Sequence, residues 1–334
     1  LIGMRGEDKI MQKKQPLIIL TGPTAVGKTN LSIRLAKALN GEIISADSMQ
    51  VYRHMDIGSA KVTPEEMDGV THHLIDVLEP SEEFNVTRFQ SMAKQAMKEI
   101  ADRGHIPIVV GGTGFYIQSL VYDIDFTENE GDDSIRKELE CIGEEQGNEV
   151  LHQMLAEVDP ASAKAIHANN RKRVIRAIEY YRQTGEPISS SDLNQREREK
   201  SSPYDFYYYV LNCDRKLLYE RIDLRVDQMV EQGLVEEVQK LKNMGCTRNM
   251  VAMQGLGYKE ILDYLDGKTT LEEAIYIIKR ETRHFAKRQL TWFKRERDVR
   301  WLNLEEFGMD REKVLNHILE EVRAGQNHNH HSFL

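Results

Sequence analysis

Eight consecutive residues, Gly22-Pro23-Thr24-Ala25-Val26-Gly27-Lys28-Thr29, satisfy the pattern G-x-x-x-x-G-K-[ST]. That spacing suits the capture of an anion with several oxygens. Glycines let successive backbone N–H groups turn inward, and a helix starting immediately afterwards aims its partially positive end at the same point. Lys28 adds a full positive charge, and the Thr29 hydroxyl can hold a magnesium ion bridging phosphate oxygens. A chance match in a chain this long is on the order of one in a hundred. The pattern predicts a phosphorylated ligand and leaves its identity open.

Asp47 is the second residue with chemistry to offer. It follows Ile43-Ile44-Ser45-Ala46, so a carboxylate stands just past the end of a predicted strand. The strand predicted at Ile106–Val110 ends instead in Gly111-Gly112-Thr113, where a nucleotide hydrolase usually carries a metal-supporting Asp. One acid therefore has two candidate tasks: metal support in a small-molecule kinase using ATP, or proton removal from an acceptor in a transferase. Residues 279–300 hold nine Lys or Arg against three acids, with Trp292 and Phe293 interleaved. Arg171-Lys172-Arg173-Val174-Ile175-Arg176 adds a second basic cluster. Across 334 residues, 45 Lys and Arg face 54 Asp and Glu, a net charge of −9. A globally basic nucleic-acid coat is excluded, but two local clusters on an acidic chain read as a groove for a phosphate backbone, with strongly salt-dependent binding. A P-loop RNA-binding regulator without catalysis also fits these charges.

The elements that would position these residues alternate strand and helix. Leu17–Leu20 reads as a strand and Thr29–Leu39 as an amphipathic helix that Gly41 ends. Glu42–Ala46 is a strand, Phe89–Ile100 a helix and Ile106–Val110 a strand. This rhythm predicts an α/β fold: a P-loop-type doubly wound parallel sheet core whose ligands gather at the carboxyl ends of the strands. Residues 22–29, 47–52 and 111–116 then share one rim. From about Asp123 to residue 200 the chain lacks a convincing strand and shows helical patterns at Leu151–Leu155 and Val174–Tyr181, so a mostly helical insertion domain is expected. Phe206–Leu211 returns to the sheet. Helix 216–232 follows, stopped by Gly233, then a long helix from Leu271 to Arg295 opened by Thr270-x-x-Glu273, a strand at Val299–Leu304 and a helix at Glu312–Val322. The expected domains are a disordered leader 1–15, core 16–122, insertion 123–200, core 201–323 and a flexible tail 324–334.

Other classes are excluded or unsupported. The longest apolar stretches, Leu17–Leu20 and Ile106–Val110, are far below a membrane-spanning length. Leu1–Gln15 lacks the apolar segment of an export signal, and Met4 or Met11 is a candidate initiator. Cys141, Cys213 and Cys246 lie far apart, which fits a reducing compartment and no structural zinc. His72 and His73 are adjacent, so they point to different sides, and no third ligand is near. His328, His330 and His331 read as part of a frayed end, and tyrosines 207–209 as core.

In order along the chain, seven segments resemble those of tRNA dimethylallyltransferases. They are Gly22–Thr29, Ser45-Ala46-Asp47-Ser48-Met49-Gln50-Val51-Tyr52, Met55-Asp56-Ile57-Gly58-Ser59-Ala60-Lys61, His72-His73-Leu74-Ile75-Asp76, Gly111-Gly112-Thr113-Gly114-Phe115-Tyr116, Gln254-Gly255-Leu256-Gly257-Tyr258-Lys259 and 282–293 (Thr282 through Phe293). The likeness runs from about Pro16 to Asn303, with Met49 and Ser59 as mild departures.

The resemblance implies transfer of a dimethylallyl group from its diphosphate to the exocyclic amine of the adenosine immediately 3′ of the anticodon. No ATP is consumed, which suits the missing second acid. It implies that Gly22, Pro23, Thr24, Ala25, Val26, Gly27, Lys28 and Thr29 hold the diphosphate, with Mg2+ on Thr29. Arg225 would join Lys28 in stabilising the departing charge, Asp47 would accept the amine proton, and Thr24 would touch both amine and bridging oxygen. The tRNA anticodon stem-loop would meet Ser48, Met49, Gln50, Thr113, Gln254, Gly257, Tyr258 and Lys259 around an extruded base. Its backbone would meet Arg171, Lys172, Arg173, Val174, Ile175, Arg283, Lys287 and Arg288. A cytoplasmic, bacterial member is expected, with no required protein partner and a monomeric state.

Overall fold

The computed structural model describes residues 14–124, 133–190 and 202–328. The chain divides into two compact units, Leu1–Val121 with Pro203–Leu334, and Tyr122–Ser202. In the first, strands β1 (Gln15–Thr21), β2 (Gly41–Ala46), β3 (His72–His73), β4 (Ile106–Gly111), β5 (Tyr204–Asn212) and β6 (Val299–Asn303) form one sheet ordered β3-β2-β4-β1-β5-β6. Every pairing is parallel. Leu17, Ile19, Leu20, Ile44, Ile108 and Val109 are wholly buried, the pattern of strands covered by helices on both faces. Thr21 pairs with Gly111 on one side and Val210 on the other, and Ala46 also pairs with Gly111. The carboxyl ends of β1, β2 and β4 are therefore level, with β5 running two residues further, and the turns that follow the three share a rim.

The helices of this unit before the second unit are α1 (Lys28–Leu39), α2 (Pro64–Met67), α3 (Val86–Asp102) and α4 (Gly114–Val121). The second unit is helical over its described residues, with α5 (Asp133–Glu145), α6 (Asn148–Val158), α7 (Pro160–Ala165) and α8 (Arg171–Thr184). Leu139, Leu151, Leu155, Val174, Ile175 and Ile178 form a core of its own. The first unit resumes with β5, α9 (Arg215–Glu231), α10 (Leu234–Asn243), α11 (Tyr258–Leu265), α12 (Leu271–Phe293), β6 and α13 (Arg311–His328). Thr270 and Glu273 close the expected capping box on α12, at 3.2 and 3.0 Å.

Several boundaries differ from the sequence reading, each for a physical reason. Gln15, expected in the leader, pairs with Tyr204 in the sheet; residues 1–13, the rest of that expectation apart from Lys14, lie outside the described residues. Gly233, at φ +103°, does more than stop α9: it opens α10, which sequence periodicity did not suggest. The closing helix passes Gly325 and runs to His328, so the tail expected from 324 is helical that far. A β-carbon at Gly325 would fall 1.7 Å from the Tyr207 hydroxyl, so this glycine serves a close approach rather than a stop. His330 and His331 lie outside the described residues.

β3 is the least expected element. It holds two residues, paired with Ile43 and Ile44 at the sheet edge. Behind it, buried Glu42 accepts from Nε and Nη2 of Arg103 at 2.9 and 2.7 Å and contacts His73 and His105 at 2.7 and 2.6 Å. Burial pushes the Glu42 carboxyl up, but the bonds from Arg103, His73 and His105 outweigh it and bring the pKa down to about 2. The adjacent histidines therefore have structural work: His73 on Glu42, and His72 on the Val70 carbonyl at 2.9 Å.

Candidate functional site

The loop between β1 and α1 has the conformation its composition demands. Gly27 sits at φ +96° as the N-cap of α1, and a β-carbon there would fall 2.4 Å from the Arg311 guanidinium. No side chain caps α1 and no acid occupies its first turn, which leaves its leading N–H groups for an anion. Lys28 Nζ donates to the carbonyls of Gly22 and Pro23 at 2.9 and 2.8 Å, folding the ammonium back over the loop. Lys28 keeps part of its surface open, yet protein atoms crowd its head group closely. That burial, together with repulsion from Arg225, pushes its pKa down to about 7 against the opposing attraction of Asp47. The cradle thus starts with a lysine close to neutrality.

Asp47 and Arg225 each lie within electrostatic reach of Lys28, although α9 stands far along the chain from the loop. Asp47 follows β2, and its Oδ1 accepts from the backbone N–H groups of Met49 and Gln50 at 2.8 and 3.3 Å. This turn fixes the carboxylate at the rim. Burial pulls the Arg225 pKa below the ordinary arginine value, while Glu66 pulls it up. Two residues that sequence reasoning missed also grip the loop. Arg311 donates to the Gly27 and Val26 carbonyls at 3.1 and 2.6 Å, and Gln289 accepts from Thr24 N–H at 2.9 Å. For Gln289 the signal was available: a polar residue on the apolar face of α12 between buried Ala286 and Phe293. For Arg311 there was none.

The remaining motifs are joined by a carboxylate that sequence alone did not single out. Glu237 on α10 accepts from the N–H groups of Asp56, Ile57 and Gly58 at 2.9, 2.8 and 3.1 Å and from the Tyr258 hydroxyl at 2.9 Å. Tyr258 is wholly buried and a β-carbon on Gly58 would collide with its ring, so the expectation that Tyr258 meets tRNA is corrected: it anchors loop 55–61. Gly257, also expected at the tRNA, is buried in the free protein, and its N–H donates to Glu260 at 2.8 Å. Gln50 donates to the Ser59 and Ala60 carbonyls at 3.4 and 3.2 Å, and Gln254 donates to the Arg248 carbonyl, so both amides hold loops. Ser48, Met49 and Thr113 remain partly exposed at the rim, and Lys259 is partly exposed on α11.

The basic stretch on α12 sorts into two groups. Arg283 Nη1 reaches both Asp223 oxygens at 2.5 and 2.7 Å, and Lys279 pairs with Asp227 at 2.6 Å, tying α12 to α9. Arg283 is therefore committed to an ion pair rather than open to a backbone. Lys287 and Arg288 have no carboxylate partner among the described residues, and with His284, Thr291, Trp292 and Arg295 they line a groove of about 450 Å³. In the helical unit Lys172 and Arg173 are exposed, whereas Arg171 bonds Asn148 at 2.7 Å. Val174 and Ile175 are corrected from RNA contacts to core: at 0 % and 4 % exposure they fill the interior of that unit.

The donor set for a metal is sparse. No group of three or more His, Cys, Asp or Glu among the described residues can hold an ion. Thr29 stands exposed on the first turn of α1, so an ion there would draw most ligands from a diphosphate and water. Magnesium favours such coordination, and the site fits it.

The family model described as IPP transferase matches residues 50–296. A protein named tRNA dimethylallyltransferase from Lachnoclostridium phytofermentans is 62% identical over 296 residues, spanning 89% of this chain and 94% of the relative. The crystal structure of the full-length tRNA isopentenylpyrophosphate transferase of Bacillus halodurans aligns with a TM-score of 0.71 at 45% identity, covering 96% of this chain and all of that one. A eukaryotic dimethylallyltransferase acting on tRNA aligns with a TM-score of 0.74 at 32% identity, over 86% of this chain and 74% of its own.

Proposed function

This chain belongs to the IPP transferase family, and we propose that it moves a dimethylallyl group from dimethylallyl diphosphate to the N6 amine of the adenosine immediately 3′ of the anticodon in tRNA. It is an enzyme, a prenyl transferase that modifies tRNA. The observation that carries the reading is the shared neighbourhood of Lys28, Arg225 and Asp47 at a phosphate-binding loop whose neighbouring strand β4 ends in glycine. Cations there stabilise a departing diphosphate, and the carboxylate serves an incoming amine.

In the reaction the bond from the allyl carbon to the bridging oxygen breaks as the bond from N6 to that carbon forms. The electron pair leaves with diphosphate, whose growing charge meets the loop amides, Lys28 and Arg225. Lys28 would leave the Gly22 and Pro23 carbonyls and turn to the anion. The amine proton passes to Asp47, whose second oxygen has no hydrogen-bond partner among the described residues. Thr24 lies in the loop between them. A divalent ion on Thr29 would supply further charge neutralisation when bound, and magnesium is the one we propose. The target base leaves its stack at a cost of a few kcal/mol, lowest in a hairpin loop. Lys287 and Arg288 on α12, with Lys172 and Arg173 on α8, are the cations we assign to the tRNA backbone. No described helix is long and apolar enough to cross a membrane; we place the enzyme in the cytoplasm, with its tRNA, acting as a monomer.

The test is transfer of labelled dimethylallyl from its diphosphate to tRNA with magnesium and without ATP. Transfer of a γ-phosphate to a small acceptor would establish a kinase instead, and tRNA binding without modification would establish a regulator.

A further inference from the structure

Gln289 joins two of the rim turns through one side chain. It is 6 % exposed on α12. Its Oε1 accepts from Thr24 N–H at 2.9 Å and its Nε2 donates to the Gly112 carbonyl at 3.0 Å. One helical step further on the same face, Trp292 lies against Gly114. A β-carbon on Gly112 would fall 2.2 Å from Gln289 Nε2, and one on Gly114 would fall 2.2 Å from Trp292 Cδ1. The glycines of the turn after β4 are therefore what lets this ridge of α12 close on it.

The bond to Thr24 is unusual for its place. Amide N–H groups of a phosphate-binding loop commonly face the anion, but this one is committed to a side chain 265 residues away. The commitment fixes the peptide plane that enters Thr24, and so restricts the directions in which its side chain can point. A glutamine amide suits the position because it carries an acceptor and a donor on one planar group. An aliphatic residue would leave the Thr24 N–H and the Gly112 carbonyl without these partners. An ionised glutamate would keep the acceptor and lose the donor.

We propose that Gln289 is a positioning residue for prenyl transfer: it touches neither donor nor acceptor and holds Thr24 in its reacting orientation against the turn after β4. The inference rests on the transfer reaction assigned above.

Wild type, Gln289→Leu and Gln289→Glu are compared by steady-state kinetics across pH and by amide hydrogen exchange resolved at Thr24. Gln289→Leu lowers kcat about a hundredfold, the scale of a misplaced reacting group, moves KM for dimethylallyl diphosphate by less than about threefold, and speeds exchange at Thr24. Gln289→Glu supplies the rescue. Its protonated carboxyl regains both an acceptor and a donor, so its kcat relative to wild type rises as pH falls from about 8 to 6, while Gln289→Leu shows no such recovery. Wild-type kcat in Gln289→Leu, equal losses of kcat and donor affinity, or a glutamate variant without pH-dependent recovery would each overturn the proposal. Wild-type protein that transfers nothing, yet shows slow Thr24 exchange that Gln289→Leu accelerates, overturns the reaction assignment and the catalytic role together, and identifies the bond as purely architectural.

Discussion

Binding of the diphosphate donor should draw a proton from solution, and the size of that uptake follows from Lys28. Its ammonium is enclosed and repelled by Arg225, so its pKa in the free protein is about 7. A bound diphosphate replaces those surroundings with negative charge and drives the group back to the charged form. At pH 8 a lysine of pKa 7 is about 90% neutral, so binding takes up about 0.9 proton per site. From pH 7.5 to 9.0 the protonated fraction falls about 25-fold, a loss of about 2 kcal/mol in binding. The assay is calorimetric titration with a non-reactive thio analogue of the donor, in two buffers of different ionisation heat. Working above about pH 7.5 keeps the ligand fully ionised. Lys28→Arg, always charged, should flatten the dependence. Arg225→Gln removes a repelling charge and should move the break to higher pH. The sign in the unliganded protein is opposite to that of binding. A lysine whose pKa is lowered by folding makes the fold more stable as pH rises from about 7 toward the ordinary lysine value, because the unfolded chain holds its proton longer. An unchanged dissociation constant between pH 7.5 and 9.0, with no proton uptake, would refute the account of the cradle.

Three further outcomes are expected. Asp47→Asn keeps an acceptor for the Met49 and Gln50 N–H groups but cannot take a proton, so tRNA affinity stays while kcat falls about 10²- to 10⁴-fold; equal loss of affinity and rate would assign Asp47 to folding. Glu42 has a carboxyl pKa lowered to about 2, so its stabilisation is full above about pH 4.5 and disappears as pH falls toward 2. Glu42→Gln should remove that acid limb from a thermal-denaturation series, and an identical pH profile in the variant would count against it. Arg288→Ala should reduce the salt slope of tRNA binding by about one, whereas Arg283→Ala should leave the slope and instead lower the melting temperature, since it breaks the pair with Asp223. Filter binding across a salt series separates the two.

The parts of the site written by local chemistry were legible. The cradle follows from spacing within eight residues, and Asp47 from its place after a β-branched run. What failed were readings in which charge in the sequence stood for exposure in space. Val174 and Ile175 sit beside four cations at 171–176, yet their spacing from Leu151 and Leu155 partners is set by helix packing, and they are core. Tyr258 lies in a motif of polar and glycine residues and is buried because Glu237, on another helix, satisfies its hydroxyl. β3 has neither length nor β-propensity; pairing with β2 and the Glu42 carboxylate create it. Gln289 acts across 265 positions, a separation no window of sequence can see.

The position of β1 also dictates a timetable for synthesis. Its partner on one side, β4, lies in the same half of the chain, while its partner on the other, β5, begins only at Tyr204. A nascent polypeptide emerging at about 5–20 residues per second therefore leaves one flank of its middle strand unpaired for about ten to forty seconds. Through that interval the cradle's supporting strand is an adhesive edge, and shielding by the ribosome or a holdase becomes part of how this catalyst is made.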